Sequence, residues 1–199
     1  TLLTDSFVRT ASQLPKVCRH YHISLQSGCD ATLKRMNRRY TTQEFSEIVD
    51  RLRREMPDTA VTTDIMVGFP GETEEEFEET CAFVEKIGFS KIHVFQYSPR
   101  TGTPAASFEN QVPPECKEKR SRRLIELGRR LERDFMKKFE GKRVMVLFEE
   151  EHPDLEGYYE GYTDQYLRVT VQGDSSLEGR LLPVMVESIG EDSLTGHII

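Results

Sequence analysis

Three times before residue 140, the hydrophobic period of this chain changes from two to about 3.6. Few folds accommodate that rhythm, because strands alternating with amphipathic helices assemble into βαβ units around a parallel sheet. Residues 20–25 alternate, with Tyr21, Ile23 and Leu25 on one face and His22, Ser24 and Gln26 on the other. Beyond a loop, Thr41 and Glu44 have capping-box spacing. Phe45, Ile48, Val49 and Leu52 then trace one face of a helix that Pro57 ends. Residues 60–67 form a β-branched run suited to a strand covered on both faces. Thr73 and Glu76 repeat the capping box, Phe77, Cys81 and Val84 supply a buried stripe, and Gly88 is the stop. A third strand over residues 91–97 leads into SPRTGTPA. A long helix follows from Pro113 and Pro114, with Leu124, Leu127, Leu131 and Phe135 as its apolar stripe and Gly141 as its end.

Right-handed crossovers bring the loops QSGCD, GFPGET and SPRTGTPA to one edge of such a sheet, where parallel α/β folds bind ligands. After Gly141 the pattern changes. Short strands over residues 143–148, 158–163, 165–171, 181–189 and 194–199, separated by turn residues, predict a small β-barrel. The division falls near Glu140, giving units 1–139 and 140–199.

The net charge of -7 conceals a strong segregation. Residues 117–143 hold 12 Lys/Arg against 5 Asp/Glu, residues 149–199 hold 2 against 12, and residues 55–85 hold ten acids and no base. The basic stripe suits a polyanion or, equally, a solvated helix face. No apolar run approaches the roughly 20 residues that span a bilayer, and the first residues lack a signal pattern. With no starting Met, the chain reads as the interior of something longer. Cys18, Cys29, Cys81 and Cys116 match no zinc or iron–sulfur spacing, so free thiols in a reducing cytoplasm are expected. Cys18, His20 and His22 share a strand face but lack a fourth ligand, so no metal site is expected.

Several residues are candidates by chemistry. Gly68, Phe69, Pro70, Gly71 and Glu72 form a loop whose glycines allow close backbone approach, ahead of helix N-terminal amides; the alternative is a plain βα turn. Gln26, Ser27 and Gly28 end the first strand, as a polar loop or as part of a binding mouth. Asp64 lies in an apolar strand, where a carboxylate needs a partner or a polar site. Tyr97 and Arg100 follow the third strand, and Arg100 suits a carboxylate or phosphate. Lys34, Arg35, Arg38 and Arg39 after the first strand, and Lys142, Arg143 and Arg168 near and within the barrel, suit the phosphates of a polyanion; for the first four a solvated loop is the alternative. Tyr162, with Tyr158, Tyr159 and Tyr166, suits base stacking or barrel filling.

The segments HISLQSGCDATLKRMNRRYT, TDIMVGFPGETEEEFEET, HVFQYSPRTGTPAA and VPPECKEKRSRRLIEL occur in an order that resembles the radical-SAM methylthiotransferases. GFSKIHVFQYSPRTGTPAA and GYTDQYLRV most resemble the branch acting on N6-threonylcarbamoyladenosine at position 37 of tRNA. The resemblance implies an α/β fold: three βα units of a radical-SAM TIM-like barrel, then a small all-β TRAM (OB-like) barrel. It also implies S-adenosylmethionine, two [4Fe–4S] clusters and tRNA as the family's cofactors and partner. The loop at residues 68–72, with Gln26, Ser27, Gly28, Asp64, Tyr97 and Arg100, is where the cofactor is expected. The family's CxxxCxxC is missing from this sequence, so this chain is expected to hold no cluster, no catalytic residue of its own and no activity alone. Two other readings are a ribosomal-protein aspartate methylthiotransferase and a non-catalytic RNA-binding module.

Overall fold

A computed structural model describes residues 3–199. Its first part contains α1 (Asp5–Ser12), β1 (His20–His22), α2 (Asp30–Arg35), α3 (Thr42–Glu55), β2 (Ala60–Val67), α4 (Glu74–Ile87), β3 (Lys91–Gln96) and α5 (Pro114–Met136). Its second part contains β4 (Arg143–Glu151), β5 (Tyr158–Tyr162), β6 (Arg168–Gln172), β7 (Leu181–Ile189) and β8 (Leu194–Ile198).

Both capping boxes form: Thr41 and Thr73 accept from Glu44 and Glu76 backbone N–H groups, and each Glu side chain bonds back to its N-cap. Gly88 closes α4 in the left-handed region at φ 62°. The first strand is shorter than its alternation predicts. Ile23 N–H still donates to Thr62 O, but Leu25 N–H donates to the Thr63 hydroxyl instead of a backbone carbonyl. The ladder therefore lapses and returns as a single bridge, Gln26 to Ile65, with Gln26 at φ 73°. Two helices were not foreseen. In α1, Thr4 accepts from Phe7 N–H, and α2 begins without a side-chain cap, which removes the usual sequence cue. Lys34 and Arg35 thus lie on a helix rather than in a loop.

The strands β1, β2 and β3 form one parallel sheet in that order. One face, with Val61, Ile65 and Val67, packs on α3, α4 and α5 through Phe45, Leu52, Phe77 and Leu124. The remaining strands close a five-stranded barrel in the order β4-β5-β6-β8-β7, with β6 and β8 parallel and the other pairs antiparallel. The C-terminal end of α5 belongs to both parts. Phe135, Met136 and Phe139 enter the barrel core together with Ala60 of β2.

The charge segregation resolves into contacts between helices. Arg120 pairs with Glu72 and Glu74, Arg123 with Glu78, and Arg130 with Glu85. Three arginines of the basic stripe thus meet four acids of the acidic stretch, while Lys119, Arg129 and Arg133 have no ion pair among the described residues. Within α5, Arg122 pairs with Glu118, whereas Glu132 takes Lys91 of β3. Among the described residues no helix is long and apolar enough to cross a membrane.

Candidate functional site

Register pairing gives the uncovered face of the sheet its chemistry. His22 is level with Thr62 and Lys91, Asp64 with His93, and Met66 with Phe95. His22 Nε2 lies 3.2 Å from Asp64 Oδ2, and its Nδ1 lies 3.0 Å from Thr62 Oγ1. The same hydroxyl is 3.1 Å from His20 Nε2. One assignment satisfies all three: His22 donates to Asp64 and accepts the Thr62 O–H, while Thr62 accepts from His20. Asp64 is thus half-buried and partnered by His22, with the Ser24 hydroxyl 3.5 Å away. It is not an isolated carboxylate in an apolar strand.

Burial, with the adjacent His22 as a lesser cause, holds the His20 imidazole below its ordinary range. Its proton is therefore bound more weakly in the folded state. The stability that neutral His20 contributes is complete above its unfolded value, near 6.5, and is lost as pH falls through the lowered folded one. Melting temperature should fall between pH 7.5 and pH 5, and His20→Asn should shallow that fall; an unchanged profile would argue against a neutral His20.

The carboxyl ends of the strands meet as expected, but several candidate side chains face inward. Ser27 lies within hydrogen-bond distance of Thr80 and accepts from Cys29 N–H. A side chain at Gly28 would strike Phe83 and the Thr80 backbone. Glu72 accepts from Gly68 N–H at 2.9 Å and from Arg120 at 2.7 Å. Gly68, at φ 71°, leaves space for the Lys117 stem, whose ammonium donates to Tyr97 O at 2.9 Å. The space a side chain would take at Gly28 and at Gly68 is therefore filled by the protein itself, at Gly68 in place of the ligand approach its loop suggested. Phe69 is buried edge-on against Tyr97 and Phe108. Pro70 and Gly71 line a cavity of about 380 Å³ with Arg35 and residues 107–110, and Gly71 N–H donates to Asn110 O. Tyr97 is 8% exposed and its hydroxyl has no partner among the described residues. Gln26 and Arg100 remain accessible.

The cationic candidates divide in two. Arg35 forms a bidentate pair with Glu76, and Arg168 is held by Asp192 and Glu160. Both are engaged because an acid from a neighbouring element reaches them, correcting their reading as free phosphate contacts. Lys34, Arg38, Arg39, Lys142 and Arg143 are exposed, with no ion pair among the described residues. Tyr162 stacks on Tyr166 at 4.7 Å.

The profile of the Radical SAM superfamily matches residues 1–84. The chain is 38% identical over 98% of its length to a Bacillus subtilis protein named threonylcarbamoyladenosine tRNA methylthiotransferase, covering 47% of that protein. It is 40% identical over 99% of its length to the tRNA-2-methylthio-N(6)-dimethylallyladenosine synthase of Acetivibrio thermocellus, covering 41% of it. The chain belongs to the radical SAM methylthiotransferase family. It spans less than half the length of these curated relatives. Coproporphyrinogen III oxidase of Escherichia coli, a radical SAM enzyme, superposes with a TM-score of 0.49 at 19% identity, over 57% of this chain and 27% of that one, too partial a likeness to carry detail.

In this family member, sequence reasoning missed Lys117 and Arg120 as the residues that fasten the loops from beneath. Their signal was present in the helix, but nothing local shows which way a helical Lys or Arg turns. The cysteines do not converge. Cys29 is buried, Cys18 is exposed, and among the described residues no three potential ligands gather. Burial pushes the Cys81 thiol up to about 11 and raises Cys29 as well, so neither is a ready thiolate.

Proposed function

We propose that this chain is part of a longer enzyme that methylthiolates N6-threonylcarbamoyladenosine at position 37 of tRNA. The observation that carries this reading is similarity along almost the whole chain to proteins named for methylthiolation of tRNA adenosines. The small barrel is assigned as a TRAM domain over residues 140–199, following the catalytic unit at 1–139. Bound S-adenosylmethionine supplies the radical chemistry of this family. Gln26, Asp64, Pro70, Gly71, Tyr97 and Arg100 are the residues assigned to the cofactor, and the unpaired Tyr97 hydroxyl and the accessible Gln26 support that assignment. The cysteines described above do not fit a cluster cage, so the two [4Fe–4S] clusters are assigned to the rest of the longer protein and this chain alone is expected to be inactive. Lys34, Arg38, Arg39, Lys142 and Arg143 are the cations assigned to tRNA phosphates.

The Acetivibrio relative favours a second reading, with N6-dimethylallyladenosine as substrate. The acidic barrel, with 2 Lys/Arg against 12 Asp/Glu in residues 149–199, suits the ribosomal-protein alternative, because a basic protein complements it. The intact protein, with clusters reconstituted anaerobically, should add one methylthio group to threonylcarbamoyladenosine in tRNA nucleosides analysed by mass spectrometry. The same gain on dimethylallyladenosine moves the branch, a gain on a ribosomal protein moves the substrate class, and no gain anywhere with verified clusters favours a binding module.

A further inference from the structure

At the amino ends of β1, β2 and β3, opposite the glycine loops, the small barrel leans over the polar face of the sheet and leaves a cleft of about 550 Å³. Three rings form a ladder along it. Tyr162 and Tyr166 stack at 4.7 Å with planes 16° apart, and Tyr166 and His20 stack at 5.4 Å with planes 25° apart. The barrel contributes two of these rings and the sheet the third, so the ladder exists only when both are folded together.

Two features of the cleft exceed what packing requires. Tyr166 sits at φ 62° yet is 64% exposed. A left-handed conformation costs a bulky residue roughly 1–2 kcal/mol, and glycine would adopt it freely. The turn holds it firmly: Tyr166 N–H donates to Thr163 O, and the Thr163 hydroxyl accepts from Gln165 and Leu167 N–H. A strained, well-fastened aromatic ring facing solvent is the kind of outlier that points to function. The second feature is Gln165. It is 8% exposed and lines the cleft, and its side-chain amide has no hydrogen-bond partner among the described residues. Its two donors and one acceptor are not sealed from solvent and are open to a ligand entering the cleft.

We propose that this cleft binds a nucleobase, stacked against the His20–Tyr166–Tyr162 ladder and held along its edge by the Gln165 amide. Stacking on aromatic side chains accepts any base, with preferences set by stacking strength, and the larger purine ring covers more of the ladder than a pyrimidine. A purine is therefore the preferred base. The cations at the rim contribute little to a phosphate. Lys91 is 3.2 Å from Glu132, and Arg168 is held by Asp192 and Glu160. Recognition runs through the base, and the same base can arrive on a free nucleotide or on an unpaired stretch of RNA. The inference does not depend on the enzyme reading above.

The test is titration of the 199-residue chain with AMP, UMP and single-stranded hexaadenylate, followed by saturation-transfer NMR on the base protons. AMP or hexaadenylate should bind more tightly than its uridine counterpart, and Tyr166→Ala should weaken binding about tenfold or more. Gln165→Ala should weaken binding of AMP and UMP alike and leave residual stacking. Tyr166→Gly separates binding from folding, since it removes the strain and should keep or raise the melting temperature while losing binding. Binding of AMP alone marks a nucleotide site. Binding of hexaadenylate only, lost when its bases are replaced by abasic units, marks a site for a base on a strand. No binding of either probe, or binding indifferent to Tyr166→Gly, overturns the proposal.

Discussion

Replacing Arg120 by Met is expected to cost about 3–5 kcal/mol of stability, the penalty for stranding one member of a buried ion pair. The Arg120 and Glu72 side chains are 8% and 3% exposed. The guanidinium gives Nη1 to Glu72 Oε1 at 2.7 Å and to Glu72 O at 3.2 Å, and Nε and Nη2 to Glu74 Oε2. It also lies over the Phe77 ring, 5.5 Å from its centroid. Burial already pushes the Glu72 carboxyl up, while Gly68 N–H and Arg120 draw it back. Without Arg120 that carboxyl must protonate or pull water into the core. Arg120→Lys should recover only part of the loss, because a single ammonium cannot reproduce the fork. Adding Glu72→Gln to Arg120→Met should recover much of it, since the stranded charge is then gone. Urea unfolding measures the stability, and hydrogen exchange at Gly68 reports the loop directly. A loss below about 1 kcal/mol, the level of an exposed pair, would show that this pair does not hold the loop.

Gly161→Ala should damage the barrel as severely, at or above the upper end of the roughly 1–3 kcal/mol typical of overpacked cores. A methyl at Gly161 would fall onto the Leu147 carbonyl and within 2.7 Å of Phe148 Cα, all of them backbone atoms of β4. Backbone cannot rotate aside as a side chain can. The register between β4 and β5 shifts just beyond this point, between Phe148 and Glu150. Gly196 repeats the arrangement against Met185 O, beside the register shift between Val186 and Ser188. Each irregularity thus has a glycine beside it, and the strongly curved barrel brings two backbones together where only hydrogen fits. Thermal unfolding followed by circular dichroism should show the loss. An unchanged melting temperature for Gly161→Ala would mean that the strands separate there at little cost.

Much of the fold was legible because its cues were local. The capping boxes at Thr41 and Thr73, the stop at Gly88 and the β-branched run of β2 each depend on neighbours within four residues, and each forms. The start of β6 was misjudged because Tyr166 adopts a left-handed turn without the glycine that usually announces one. α2 was missed because Cys29 gives it no cap. The candidate site was legible to the level of the loop. Residues 26–28, 68–72 and 97–100 follow the ends of successive parallel strands, and the alternation of period alone requires that they meet.

The amino-acid sequence by itself determined where α3, α4, α5, β2 and β3 lie, that three strands run parallel, that a small barrel follows, and which loops share an edge. Those outcomes rest on hydrophobic period, caps and turn chemistry, which act over a few residues. The family was equally readable from four short motifs. Only the tertiary structure decided which charges are free. Arg35, Arg120 and Arg168 look like Lys34, Arg38 and Arg143 in the sequence, yet the first three meet carboxylates 41, 48 and 24 residues away, among them Glu76, Glu72 and Asp192. The ladder of His20, Tyr166 and Tyr162 was hidden for the same reason. A ring stack between a sheet and a barrel depends on how α5 carries one onto the other, and no local pattern records that placement.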